Sequence, residues 1–261
     1  MSPIIELQGV TKNLGGNDVL DEIDLRLEGG KIVALLGANG AGKTTLLHLL
    51  GTLYQPSAGS IQLDGEPLDR SNLGLRRRLH YLPDIPAIGP MQTPLQYIVL
   101  ALEAYGLTGD DADRRVVEYL HMFDLLALAD SPSKSLSRGQ RYKATLVALF
   151  AIDPEIWIMD EPFTSGMDPL GLTEMRIQIQ KASERGRIVI YSTQLVEVAK
   201  QASDLVCILS GSKIAGFGPI DALENTADNT PGLRELLRQL QDVETEIEVD
   251  TAATPNEPAH D

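Results

Sequence analysis

A glycine-rich loop restricts the fold of this chain more than any other segment. The loop, Gly37-Ala38-Asn39-Gly40-Ala41-Gly42-Lys43-Thr44-Thr45, matches the pattern G-x-x-x-x-G-K-[ST]. It follows the apolar run Lys31–Leu36, which is typical of a strand buried on both faces of a sheet, and it opens a helical pattern over residues 43–53. The alternative, a glycine-rich turn that contains a lysine by chance, does not account for this order of strand, loop and helix. The sequence therefore predicts a phosphate-binding loop.

The residue types of the loop indicate its ligand. Glycines let backbone N–H groups turn toward a β-phosphate, and the helix that follows presents the positive end of its dipole. Lys43 can reach the β- and γ-phosphates, and the hydroxyl of Thr44 can ligate Mg²⁺. We therefore expect residues 37–45 to bind a nucleoside triphosphate together with Mg²⁺.

A second strand ends in two carboxylates. The apolar segment Ile156–Met159 is followed directly by Asp160 and Glu161, which is the form of a Walker B segment. Asp160 can hold Mg²⁺ through water, and Glu161 can act as the general base that polarises the attacking water. Taken alone, such a pair often marks only the point where a strand reaches solvent. Beside a phosphate-binding loop, it predicts a site that hydrolyses the bound nucleotide.

Apolar periodicity predicts an α/β fold. Alternating runs at 4–7 and 19–27 indicate an antiparallel pair with one wet face, whereas continuous runs at 31–36, 156–159 and 187–191 indicate buried parallel strands. Helical patterns at 43–53 and 169–184 separate these parallel strands. We expect a P-loop NTPase core with a parallel sheet, an antiparallel β subdomain and an inserted helical subdomain.

The helical insertion interrupts this alternation. Residues 90–135 show helical spacing and no strand-like run, so we place a helical subdomain at about 90–152 within an ATPase domain over residues 1–220. For residues 221–261 we predict one amphipathic helix and then an acidic, disordered tail. The prediction of this helix is based on the spacing of four leucines: Leu233, Leu236, Leu237 and Leu240.

Charge and cysteine content exclude several classes of function. The formal net charge of −15 opposes binding to DNA, RNA or an anionic membrane surface. The single cysteine, Cys207, cannot form a disulfide within the chain, and no apolar run is long enough to span a bilayer. We expect a cytoplasmic protein whose membrane role, if it has one, depends on a partner.

Two further motifs point to a family. Leu136-Ser137-Arg138-Gly139-Gln140 resembles the LSGGQ signature of ABC ATPases, and Ser165-Gly166-Met167-Asp168 stands at the position of the family's D-loop. The resemblance covers residues 4 to about 220, and the stretch from Tyr81 to Leu107 is most similar to ATPases of ABC-2-type exporters. It implies that Ser137, Gly139, Gln140 and Asp168 contact ATP held by an opposite subunit. The alternative for Ser137 is an ordinary helix N-cap.

The resemblance implies an ATP-hydrolysing subunit. Two copies, alike or unlike, would close head to tail on ATP and drive separately encoded integral membrane subunits, in an exporter. The chain would then lie peripherally on the inner face of the cell membrane. A second hypothesis is an ATP-dependent switch or degenerate subunit with weak hydrolysis. A soluble ABC protein of translation or DNA repair fits less well. Such proteins carry tandem ATPase domains or long inserted coiled coils, and this sequence shows neither pattern.

Four positions depart from the family pattern. Leu14 replaces the aromatic ring that stacks on adenine, and Arg138 replaces the first glycine of the signature. Asp84 replaces a glutamine that lies beside Mg²⁺ in the family, and a carboxylate at this position can also ligate Mg²⁺. Gln194 replaces the histidine that contacts the γ-phosphate; we count it as a catalytic residue with Glu161 and Lys43, but it cannot carry positive charge. The resemblance therefore implies ATP binding with a hydrolysis rate reduced by Gln194.

Overall fold

The computed structural model describes residues 2–227 and 235–240. The strands, in chain order, are β1 Ile4–Leu14, β2 Asn17–Glu28, β3 Lys31–Leu36, β4 Ala58–Leu63, β5 Glu66–Pro67, β6 Leu79–Leu82, β7 Ile156–Met159, β8 Ile188–Thr193, β9 Leu205–Ser210 and β10 Lys213–Gly218. The helices are α1 Lys43–Leu50, α2 Leu73–Arg76, α3 Pro94–Ala104, α4 Asp110–Met122, α5 Arg138–Ile152, α6 Pro169–Glu184, α7 Val196–Ala202 and α8 Ile220–Ala227.

The larger sheet has the strand order β10-β9-β3-β8-β7-β6. The five strands β9, β3, β8, β7 and β6 are parallel, and only the edge strand β10 runs antiparallel to its neighbour. The three predicted parallel strands are confirmed and adjacent, with β8 between β3 and β7. Alternate residues of β3 enter two different cores, Ile32 and Ala34 on one face and Val33 and Leu35 on the other. Burial on both faces explains the continuous apolar run.

The antiparallel subdomain is also confirmed. It is a four-stranded sheet of order β2-β1-β4-β5, of which the sequence indicated only the first pair. The strands β1 and β4 approach closely at Gly59, where a Cβ atom would lie 2.3 Å from the carbonyl oxygen of Gly9. Gly59 also has φ +78°, so a residue with a side chain would be strained there. This sheet and α1 cover one face of the larger sheet.

The helical insertion lies on the opposite face. It contains α3, α4 and α5, and the side chains of Ile98, Leu102, Val116 and Leu120 are buried in the core. The neighbouring Val99 and Val117, together with Leu95, instead border an open groove between α3 and α4. Helical spacing places these residues near the apolar stripe, but the two valines remain more than two-fifths exposed.

The C-terminal region begins with a helix that the sequence analysis did not predict. Helix α8 already occupies Ile220–Ala227, across the predicted domain boundary at residue 220. Residues 235–240 are also helical, and Leu237 and Leu240 are buried in the core as their spacing suggests. Leu233 and the acidic segment 241–261 lie outside the described residues, so the prediction for them is unchanged. Within the described ranges, no helix has the length and hydropathy that crossing a membrane requires.

Candidate nucleotide-binding site

The topology gathers the predicted motifs at one edge of the larger sheet. The phosphate loop follows β3, Gln194 follows β8, Asp160 and Glu161 follow β7, and Asp84 lies two residues beyond β6. These four strands are parallel neighbours in the order β3-β8-β7-β6. Their carboxyl ends therefore meet, which is where open α/β sheets bind their ligands.

The backbone of the phosphate loop requires glycine. Gly40 and Gly42 have φ +79° and +102°, and a Cβ atom on Gly42 would lie 2.9 Å from the carbonyl oxygen of Val19. Gly42 is also the residue before α1, and no side chain caps that helix. The first-turn N–H groups of α1 therefore keep their capacity to bind an anion.

A pocket of about 310 Å³ opens beside this loop. Its lining brings together the loop, the predicted general base and the residue expected near the nucleotide base: Leu14, Val19, Asn39, Gly40, Gly42, Lys43, Thr44, Thr45 and Glu161. An uncapped helix N-terminus, an ammonium group and a glycine cradle form a donor set suited to a triphosphate. The residues therefore fit the triphosphate of a nucleotide such as ATP.

Lys43 is buried and hydrogen-bonded within the loop. Its Nζ donates to the carbonyl oxygens of Gly37 at 2.7 Å and Ala38 at 3.2 Å, and lies 3.7 Å from Oε1 of Glu161. Burial lowers the pKa of Lys43, against the attraction of Glu161 and Asp160. The ammonium group thus lies where phosphate oxygens can replace weaker partners.

Glu161 has the environment of a general base. Its pKa is raised chiefly by burial and further by the negative charges of Asp160 and Asp84, whereas Lys43 opposes the shift. A carboxylate with a raised pKa accepts a proton from water more readily near neutral pH. Its backbone has the left-handed φ of 46°, and its N–H donates to Oγ of Ser192 at 2.8 Å. That hydrogen bond fixes the turn after β7.

Asp160 is buried and oriented by residues that the sequence analysis missed. Oγ of Ser192 donates to Oδ1 of Asp160 at 2.5 Å, and the hydroxyl of Tyr81 donates to Oδ2 at 3.4 Å. The Tyr81 hydroxyl also lies 3.0 Å from Nε2 of His48. Ser192 and Thr193 are polar residues at the end of β8, directly after an apolar run, which was the available signal. Asp160 and Thr44 are the residues that would hold Mg²⁺; among the described residues, no three His, Cys, Asp or Glu side chains cluster as metal ligands.

Asp84 and Arg138, both departures from the family pattern, form an ion pair. The structure therefore gives the carboxylate of Asp84 an arginine partner within the same chain. Ligation of Mg²⁺ by Asp84 stays a prediction. Gln194 is half-buried and directly follows β8, two residues beyond Ser192. That position is consistent with a role beside the γ-phosphate, and the role itself also stays a prediction.

The signature and D-loop residues contact each other outside the pocket. Ser137 and Gln140 form a capping box at the start of α5, so the N-cap interpretation of Ser137 holds within one chain. A Cβ atom on Gly139 would lie 2.3 Å from the carbonyl oxygen of Gly166, which explains the glycine. Asp168 caps α6 and accepts a hydrogen bond from Lys143 at 2.5 Å. Contact of these residues with nucleotide stays a prediction.

The run Arg76-Arg77-Arg78 is compatible in sequence with a solvated face or with a docking site for an acidic partner. In the structure, the guanidinium of Arg78 instead pairs with Asp64 and Glu155 of the same chain. These ion pairs connect the turn after β4 to the residue before β7.

Leu14 provides a prediction about the nucleotide base. Its side chain borders the pocket and is 37% exposed, so it presents an aliphatic surface where a ring would stack. We expect Leu14→Tyr to tighten ATP binding at least about fivefold, because stacking a base on an aromatic ring contributes roughly 1–3 kcal/mol. Calorimetry with ATP checks this. Inorganic triphosphate, which has no base, is the control: an equal gain for both ligands would contradict stacking.

Comparisons with known proteins agree with this geometry. The family model described as ABC transporter matches residues 20–164. A Nod factor export ATP-binding protein I of Ralstonia nicotianae is 30% identical over 92% of this chain and 77% of its own length. A daunorubicin resistance ATP-binding protein of Streptomyces coeruleorubidus is 32% identical over 84% of this chain and 69% of its own.

Solved structures of ATP-binding subunits and cassettes also superpose on this chain. An ATP-binding subunit of an ABC transporter superposes with a TM-score of 0.82 at 28% identity, covering 91% of this chain and 99% of that one. An ATP-binding cassette in a dimeric, post-hydrolysis state bound to ADP and Pi has a TM-score of 0.73 at 24% identity, covering 83% and 98%, and so shares the fold. Motifs, topology and relatives agree: the chain belongs to the ABC transporter family, among its ATP-binding subunits.

Proposed function

We propose that this subunit hydrolyses ATP with Mg²⁺, and that two such domains closing head to tail drive separate membrane subunits of an exporter. One observation carries the proposal: Glu161 lies in the same pocket as the phosphate loop, 3.7 Å from Nζ of Lys43. A partly buried base beside a phosphate-binding ammonium is the arrangement that attack of water on a γ-phosphate requires.

The chain's own residues have separate tasks in this mechanism. The loop glycines and the N-terminus of α1 bind the phosphates, and Lys43 balances the charge of the β- and γ-phosphates. Glu161 accepts the proton of the attacking water, while Ser192 holds both Asp160 and the backbone of Glu161 in place. Mg²⁺ bound by Thr44 and Asp160 would neutralise charge that develops on the phosphate oxygens.

The dimer is proposed from the position of the signature. Ser137 is exposed and does not line the pocket of its own chain, so it is available to the nucleotide of a second chain. Asp168 also lies outside that pocket, next to the signature helix. The solved cassette bound to ADP and Pi is a dimer. We therefore propose that ATP completes an interface between two ATPase subunits, alike or unlike.

Dimerisation should depend on ATP and be clearest in Glu161→Gln. That change removes the base but keeps the shape of the side chain, so bound ATP persists and holds the interface. We expect light scattering to give twice the monomer mass with ATP and Mg²⁺, and the monomer mass with ADP as the control. A monomer at saturating ATP and high protein concentration would contradict a homodimer and favour an unlike ATPase partner.

The membrane partner is proposed from the relatives. One is named for Nod factor export and another for daunorubicin resistance, and both are named as ATP-binding proteins. We propose that this chain likewise serves separately encoded transmembrane subunits, as a peripheral protein on the cytoplasmic face. In its own cells, the chain should be recovered with washed membranes. Recovery of the chain only in the soluble fraction would contradict this assignment.

Gln194 favours a second candidate function. Without an imidazole at that position, the subunit can bind ATP and dimerise while hydrolysing it slowly, as an ATP-dependent switch. Turnover of the wild-type chain distinguishes the two functions, since both require ATP binding and only the first requires fast hydrolysis.

A further inference from the structure

Two unusual residues of the site compensate each other's charge. Arg138 is the first residue of α5, and Asp84 lies two residues beyond β6, 54 positions earlier in the chain. The family pattern has a glycine and a glutamine at these positions, both neutral. The guanidinium of Arg138 donates to Oδ1 of Asp84, so the pair as a whole is also neutral.

The pair is not explained by its contribution to stability. The side chains of Arg138 and Asp84 are 49% and 39% exposed, and exposed ion pairs typically contribute only about 0–1 kcal/mol. The position of the ion pair is more informative about its role. The pair connects the start of α5 to the edge of the sheet that carries the proposed catalytic residues.

The charge of Asp84 reaches the reacting groups. Asp84 lies two residues beyond Leu82, whose carbonyl oxygen accepts a hydrogen bond from the backbone N–H of Asp160 at 2.9 Å. The hydroxyl of Tyr81, three residues before Asp84, donates to Oδ2 of Asp160 at 3.4 Å. An uncompensated Asp84 would therefore add a third carboxylate beside Asp160 and Glu161, where a triphosphate must bind.

We propose that Arg138 is a positioning residue of the ATPase site, which acts through Asp84 by turning this carboxylate toward α5 and neutralising it. The inference rests on the proposed function. A charged residue is tolerated at position 84 because its partner in the signature removes the repulsion between the carboxylate and the phosphates of ATP.

The test is a double-mutant cycle on ATP affinity in the full-length chain. Calorimetry with EDTA present keeps metal ligation by Asp84 out of the measurement. We expect Arg138→Gln to weaken ATP binding about 3- to 10-fold, the size expected of one uncompensated charge near a partly solvated site. In the Asp84→Asn background, the same Arg138→Gln change should alter the affinity less than about twofold.

Two controls separate this role from a purely structural one. Arg141→Gln removes a positive charge one helical turn further along α5, in the same cleft as Arg138 and Asp84, and should leave ATP affinity nearly unchanged. The loss in Arg138→Gln should also shrink as the salt concentration rises, because added ions screen the exposed carboxylate. Misfolding of α5 would give a loss that salt does not reduce.

The outcomes distinguish the proposals. Equal losses from Arg138→Gln in the wild-type and Asp84→Asn backgrounds would overturn this inference alone, since Arg138 would then act independently of Asp84. A wild-type chain that binds no ATP would overturn the proposed function itself. Rescue by Asp84→Asn is the result that the ion pair predicts.

Discussion

Gln194→His should raise kcat for ATP hydrolysis at least severalfold, with KM little changed. Gln194 directly follows β8, between the strands that lead to the phosphate loop and to Glu161. An imidazole there can donate to the γ-phosphate and gain positive charge as negative charge develops on the phosphate oxygens. One donor of this kind is worth up to about 10²–10³ in rate. An effect confined to the transition state changes kcat rather than KM.

Steady-state phosphate release measures this effect, with the inactive Glu161→Gln/Gln194→His double variant as the control. That control shows that the gain passes through the chain's own base and not through a contaminating ATPase. The competing hypothesis is that Gln194 already positions the water adequately with Asp84. In that case histidine would leave kcat unchanged or lower it, and the proposed reduction by Gln194 would be wrong.

Lys43→Ala should lower ATP affinity about 10- to 100-fold, since a hydrogen bond to a charged group contributes roughly 1.5–3 kcal/mol. The ammonium group is buried beside the loop and held by the carbonyl oxygens of Gly37 and Ala38. Nothing else in the pocket lining carries a positive charge among the described residues. Its removal leaves Glu161 opposite the incoming phosphates without compensation.

Calorimetry with ATP·Mg²⁺ checks this prediction. Lys181→Ala, which removes an exposed lysine of α6 that does not line the pocket, is the matched control and should bind as the wild type does. Thermal unfolding without nucleotide shows whether Lys43→Ala is folded. Equal affinity of the folded variant and the wild type would mean that the phosphate loop is wrongly placed.

The core of the site was predictable because its chemistry is local in the sequence. Gly42 must adopt a positive φ and approach Val19, so a glycine stands there. Asp160 and Glu161 follow an apolar run that had to be a buried strand, and parallel strands bring their carboxyl ends together. Spacing and residue type were therefore sufficient to predict where these residues lie in the fold.

The remaining features depend on contacts between distant segments. The sequence identified Asp84 and Arg138 as unusual but gave no sign that they pair across 54 residues. Ser192 supports both Asp160 and Glu161 only because β8 lies beside β7, an order that periodicity does not encode. Short or edge strands such as β6 and β10 were missed for a similar reason, since their pairing with neighbours defines them more than their composition does.

Hydrolysis of ATP with Glu161 as the base is the reaction that we propose for this chain. Phosphate release by the purified wild-type chain, compared with Glu161→Gln at saturating ATP and Mg²⁺, tests it most directly. We predict that the wild type turns over ATP and that Glu161→Gln loses at least about 10²-fold in kcat, while it still binds ATP. Equal rates in the two proteins would contradict the claim, because the carboxylate beside Lys43 would then have no part in the reaction.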